Sequence, residues 1–301
     1  MPFEAASGKF MPSMGLACPA DMPRLSDITL CAVDSVTPQL AGAALDRCLQ
    51  QCDFGEALLF SDQAAPTQAR WTSIAALRSI GDYNAFMLRQ LLEHVRTPYV
   101  LVVQWDGFVV EPSAWRPEFL QYDYIGARWP WHPAGSDMGN GGFSLRSRRL
   151  LEALASPGFQ HGDAPEDELI CRHNRPYLEQ AHGIRFAPTE VADRFAYERG
   201  EPQRPTFGFH GLFNLWRHLD DSQVLAMLDH LSPRTCLSRE FIELQITYLQ
   251  QRKYRMVGAM YRRMTRAGDR QAVLAAYGQV IREAEAPQAL VSLGEELTQA
   301  A

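Results

Sequence analysis

Short apolar runs alternating with amphipathic helical stretches predict an α/β fold built on a mostly parallel sheet, followed by a helical C-terminal appendage. Three observations carry this expectation. Val100, Leu101, Val102 and Val103 show no polar alternation, the pattern of a strand covered on both faces. The stretches between such runs repeat their apolar residues at helical spacing. From about Asp220 onward only helical periodicity remains.

The elements follow in order. Ile28 to Ser35, "ITLCAVDS", reads as a first strand. Leu40, Ala44, Leu45, Cys48 and Leu49 then mark a helix, and Glu56 to Asp62, "EALLFSD", is a second apolar run ending on an acid. Strand, helix, strand implies parallel pairing. Tyr83 to Val95 predicts another amphipathic helix with Phe86, Leu88, Leu91, Leu92 and Val95 inward, feeding the strand at Val100. "GGFSLRS" reads as a strand or turn edge leading into a helix from Ser147 to Ala155. Near the end, one helix carries Met256, Val257, Met260, Tyr261 and Met264 on one face and Arg255, Arg262, Arg263 and Arg266 around the other. The expected organisation is an arm over residues 1–24, an α/β domain over 25–219 and a helical region over 220–301.

Composition narrows the function classes. The chain has 301 residues, 46% of them hydrophobic, with 29 Lys plus Arg against 35 Asp plus Glu and a net charge of -6. That balance disfavours a broad nucleic-acid footprint. No run approaches the roughly 18 to 20 apolar residues of a membrane span, and the opening residues lack a signal-peptide layout, so a cytoplasmic protein is expected. The six cysteines (Cys18, Cys31, Cys48, Cys52, Cys171, Cys236) show no metal or disulfide spacing and are expected as buried, reduced thiols.

Three apolar runs end on an acid, at Asp34, Asp62 and Asp106. Ligands of open α/β sheets gather outside the carboxyl ends of the strands, so these acids are expected to rim one crevice. A buried carboxylate without a partner is costly, so Asp106 in "QWDG" must meet a cation, a set of donors, or water in a cleft.

Four segments in sequence order, "QWDG", "GNGGFSLRS", "PEDE" and "FGFHG", resemble the glycosyltransferase-A superfamily. More narrowly, "YNAFMLRQLLEHVRTPYVLVVQWDGFVV", "YDYIGARWPW", "NGGFSLRSRRLLEAL" and "FGFHGLFN" resemble a bacterial family of largely uncharacterised glycosyltransferase-like domains, over roughly Ile28 to Asn214. The resemblance implies a Rossmann-like nucleotide-binding sheet with a mixed acceptor half, a nucleotide-sugar donor, and a glycan or lipid-linked acceptor of the cell envelope. It further implies a divalent metal, Mn²⁺ or Mg²⁺, held by Asp106 and His210. Asp167 would be the base, with Glu166 the alternative, giving inversion at the anomeric carbon. Tyr83 and Asn84 would contact the nucleotide. Gln104 departs from the pattern, standing where many relatives carry a first metal-binding acid.

Each residue also has a plainer reading. The acids of "PEDE" suit the first turn of a helix. "GNGGFS" suits a tight turn with left-handed glycines; alternatively, Gly141 and Gly142 let the backbone approach a sugar while Asn140 or Ser144 bonds its hydroxyls. Tyr83 and Asn84 suit a helix cap, and His210 a structural histidine. Trp105, Trp129 and Trp131 offer stacking faces or core packing. His161 and Asp163 read as a solvated loop. The basic tail helix either packs on a neighbour or lies on an anionic membrane surface. Rival functions are a catalytically idle sugar- or nucleotide-binding module, a glycoside hydrolase pairing Asp106 with Asp167, and a scaffold built on the tail helices.

Overall fold

A computed structural model describes residues 22–133, 135–281 and 286–299. Nearly all of the expected N-terminal arm, with Cys18, lies outside them. Six strands form the main sheet: β1 (Arg24–Val33), β2 (Asp53–Ser61), β3 (Arg70–Ser73), β4 (Tyr99–Val103), β5 (Tyr124–Ile125) and β6 (Phe143–Ser147). Their order is β3-β2-β1-β4-β6-β5, with β1 to β4 parallel and β6 antiparallel to both β4 and β5. The expected α/β class is the observed one. Val100 to Val103 are wholly buried, as the unbroken apolar run requires.

This order fixes where a ligand can sit. The chain leaves β1 for β2 on one side and returns as β4 on the other, so the strand order reverses between β1 and β4 and a crevice opens beyond their carboxyl ends. Asp34 follows β1 there, and Gln104 follows β4. The Asp34 carboxylate accepts the N–H groups of Val36 and Thr37 at 2.6 Å each and the Thr37 hydroxyl at 2.8 Å, shaping the turn into the helix Pro38–Leu49.

The helix before β4 begins at Ile80, three residues earlier than expected, because Ser79 caps it by accepting the Asp82 N–H at 3.1 Å. Tyr83 and Asn84 therefore lie inside the helix and are not its cap. Ile80–Ala85 runs on through a π-helical turn, Phe86–Gln90, into Leu91–His94. The wide turn adds Met87 to the buried face and leaves Leu92 only half-buried. A second π-helical turn, Leu169–His173, follows the short helix Glu166–Glu168.

A two-stranded parallel ribbon, β7 (Ala196–Tyr197) with β8 (Gly208–Phe209), precedes the helical region. That region opens on a capping box at Asp220. Its basic helix, Tyr254–Ala267, buries Met256, Val257, Met260, Tyr261 and Met264 largely against Ala286–Gln299 and Arg239–Gln250. The apolar face that a membrane surface would need is thus already covered. No described helix is long and apolar enough to cross a membrane. Cys31, Cys48, Cys52, Cys171 and Cys236 are buried and unpaired, and burial pushes the first three up to about 12.

Candidate functional site

A cavity of about 460 Å³ opens beyond β1 and β4. Asp34, Tyr83, Asn84, Gln104, Trp105, Asn140, Gly141, Gly142, Glu166, Asp167 and His210 all line it, so segments scattered over most of the α/β half meet at one place. Asp62 does not line it. Its strand, β2, is one position removed from the point where the strand order reverses, so the expectation of three acids on one crevice fails there. Asp106 is also off this wall. It lines an adjoining hollow of about 280 Å³ with Trp105, Glu198, His210 and Arg234.

The glycine-rich turn is built for close approach. Its left-handed residue is Asn140 (φ 52°), not a glycine as expected. A Cβ on Gly142 would lie 2.1 Å from His210 Nε2, and one on Gly141 2.4 Å from Glu166 Oε1, so these positions admit no side chain without displacement. Asn140 braces the turn by accepting the Phe143 N–H at 3.2 Å, and its amide nitrogen lies 2.9 Å from His210 Nδ1. Ser144 is wholly buried, donating to the Gly141 carbonyl at 2.9 Å and accepting from Arg146 Nε at 3.0 Å. It has no reach to a sugar hydroxyl.

His210 and Asp106 are brought together as expected. His210 Nε2 lies between two acceptors, Gln104 Oε1 at 3.1 Å and Asp106 Oδ1 at 3.4 Å, so it carries a hydrogen. Nδ1 meets Glu198 Oε1 at 3.2 Å. Burial alone would lower the ring's pKa, yet the Asp106 and Glu198 carboxylates push it up to about 10. For Asp106, burial raises the carboxyl and the His210 charge more than reverses this, aided by the Leu212 N–H at 3.0 Å, leaving it below the usual carboxylate range. Asp106 and His210, the two side chains the resemblance assigns to a divalent ion, thus face each other, and among the described residues no group of three or more His, Cys, Asp or Glu side chains is arranged to hold one.

The acidic helix contributes two different carboxylates. Glu166, 3% exposed, pairs with the wholly buried Arg146 at 2.8 Å, Nη2 to Oε1. Burial raises its pKa against the pull of Arg146. Asp167 is half-buried on the cavity wall, where Oδ2 accepts the Gly141 N–H at 2.9 Å and the other oxygen the Glu168 N–H. Tyr83 and Asn84 project from the helix before β4. The Tyr83 hydroxyl lies 3.4 Å from Gln104 Nε2, and Asn84 donates to the Ala164 carbonyl at 2.8 Å, tying this wall to the acidic segment.

The tryptophans divide. Trp105 lines the cavity, Trp129 is buried beneath the Arg172 guanidinium, 4.7 Å from its ring centroid, and Trp131 is 62% exposed. His161 and Asp163 are exposed, with Arg89 Nε 3.3 Å from His161 Nε2. The sequence reading missed Arg146, Glu198, Arg78 and Arg234. Glu198 had a usable signal, since "RFAYE" is another apolar run ended by an acid. The arginines had none, because their neighbours come from distant segments.

No curated protein matches the chain. The solved structures to which the chain shows similarity include a glycosyltransferase involved in glycosylation of the major capsid of PBCV-1, at 11% identity and TM-score 0.40, covering 61% of this chain and 91% of that one. A mannosyltransferase from Pyrobaculum calidifontis, in complex with GDP-Man and Mn²⁺, gives 13% identity and TM-score 0.38 over 95% of this chain and 90% of its own. TarS from S. aureus, in complex with UDP-GlcNAc, gives 9% identity and TM-score 0.31 over 91% of this chain and 90% of its own. Residues 67–210, from just before β3 to His210, match the family described as a protein of unknown function (DUF5672).

Proposed function

We propose that the chain is a glycosyltransferase of the glycosyltransferase-A type, which binds a nucleotide sugar in the cavity beyond β1 and β4 and transfers the sugar with inversion to a glycan or lipid-linked acceptor. The observation that carries this reading is the convergence of the glycine-rich turn, the acidic helix and the two strand ends on one cavity, in the sequence order that the resemblance requires. Asp167 is the base. Asp34 takes three donors in its own turn and Glu166 is buried against Arg146, whereas Asp167 is half-buried on the cavity wall with one backbone N–H on each oxygen. A single carboxylate base suits a single displacement. The acceptor oxygen bonds to the anomeric carbon as the bond from that carbon to the phosphate oxygen breaks, the acceptor proton passes to Asp167, and the electron pair leaves on the nucleoside diphosphate. The idle-module reading draws on Gln104, and the hydrolase reading loses its carboxylate pair because Asp106 lies off the wall that Asp167 lines.

Thermal unfolding against a panel of sugar nucleotides, with and without Mn²⁺, tests donor binding, since a ligand that binds only the folded state raises the midpoint. Asp167→Asn should keep the donor-induced shift and lose about 10²- to 10⁴-fold in turnover, measured as nucleoside diphosphate release. A wild-type protein that binds a donor and never releases its diphosphate, whatever acceptor is supplied, would make it the idle module.

A further inference from the structure

The helical C-terminal region reaches the same cavity. Ser232, Arg234 and Thr235, around the short helix Pro233–Cys236, line it although they lie beyond residues 67–210, which match the family, and beyond the four motif segments. Arg234 also lines the adjoining hollow with Asp106, Glu198 and His210, so this one residue borders both spaces. Arg78, just before the Ser79 cap, lines the cavity from a separate segment. Both arginines are exposed, and neither has an ion-pair partner among the described residues. That sets them apart from Arg146, held by Glu166, and from Arg199, held by Glu240 and Glu243.

We infer that Arg234, assisted by Arg78, binds the diphosphate of the donor and takes the charge-neutralising role expected of a metal at Asp106 and His210. The inference rests on the glycosyltransferase reading and deepens it. As the bond between the anomeric carbon and the phosphate oxygen breaks, its electron pair stays on that oxygen and the diphosphate gains one negative charge. A guanidinium already bonded to phosphate oxygens stabilises that charge as it develops. The need is concrete, because three carboxylates, those of Asp34, Glu166 and Asp167, line the cavity. Without the arginines a diphosphate would meet mostly carboxylates. The helical region is then a part of the active site, closing over the α/β half.

Calorimetric binding of UDP, GDP, UMP and GMP in EDTA tests the inference on wild type, Arg234→Ala and Arg234→Lys, with the exposed Arg255→Ala as control. One nucleoside diphosphate should bind without metal, and Arg234→Ala should weaken it about tenfold to a hundredfold, the range for a charged hydrogen bond. The matching monophosphate should weaken less, the lysine variant should recover part of the loss, and the control should not differ. Thermal midpoints should stay together, since Arg234 is exposed. Diphosphate binding that needs Mn²⁺ and ignores Arg234→Ala would overturn the inference and leave the glycosyltransferase reading standing. Absence of nucleotide binding in any buffer would overturn both.

Discussion

Two histidines flank the β7–β8 ribbon and end in opposite states. His210 follows β8 directly, between the carboxylates of Asp106 and Glu198, and is pushed up to about 10. His218, a few residues later, lies 4.3 Å from the Phe209 ring with its Nε2 2.7 Å from the Tyr197 hydroxyl, and burial with the Arg217 charge pushes it down to about 4. Both rings are largely removed from water. The lesson is that burial lowers both rings and the neighbours decide the outcome: two carboxylates reverse it at His210, while at His218 the Arg217 cation adds to it and the ring packs among aromatics.

The strongest way to break the comparison is to remove a carboxylate from the first histidine. Asp106→Asn should cost about 3 kcal/mol in urea unfolding, the lower end for a broken buried ion pair, because Glu198 still faces the ring. An unchanged midpoint would show that His210 is neutral in the folded protein. A smaller effect is expected from Gly142→Ala, whose new Cβ would meet His210 Nε2 at 2.1 Å and force the ring aside. About 1–3 kcal/mol is the usual penalty for such crowding, and any nucleotide-induced stabilisation should fall with it.

The second histidine gives the smallest effect and sharpens the contrast through pH. Its folded-state pKa of about 4 lies below the ordinary value of 6.5. Between those values the unfolded chain takes up a proton that the folded ring refuses, so His218 reduces stability as pH falls through that window and leaves it unaffected above. Tyr197 and Arg217 are the titratable groups acting on it. Urea midpoints at pH 7.5 and pH 5 should therefore diverge less in His218→Phe than in the wild type, and equal divergence would refute the assignment.

Much of this arrangement was legible in local patterns. The parallel strands announced themselves because burial on both faces needs unbroken apolar runs, and Asp34, Gln104 and Asp167 were located through the strands and the helix that carry them. What failed was whatever depends on strand order or distant contact. Asp62 resembles Asp34 in its sequence setting, yet β2 lies one strand away from the crevice. The left-handed position fell on Asn140 because the glycines were needed for proximity to His210 and Glu166. Arg146 pairs with Glu166 twenty residues along the chain, and Arg234 reaches the cavity from beyond Asp220, so no spacing rule could have named them.

The π-helical turn at Phe86–Gln90 has a consequence for how one helix serves two masters. Each residue of an α-helix advances its side chain by about 100°, so one extra residue in a wide turn rotates everything beyond it by that angle. Before the turn, Tyr83 and Asn84 point at the cavity; after it, Leu91 and Val95 belong to the core. The bulge acts as an angular coupling between a ligand-facing half and a packing half, and the same device recurs at Leu169–His173, directly behind Glu166 and Asp167.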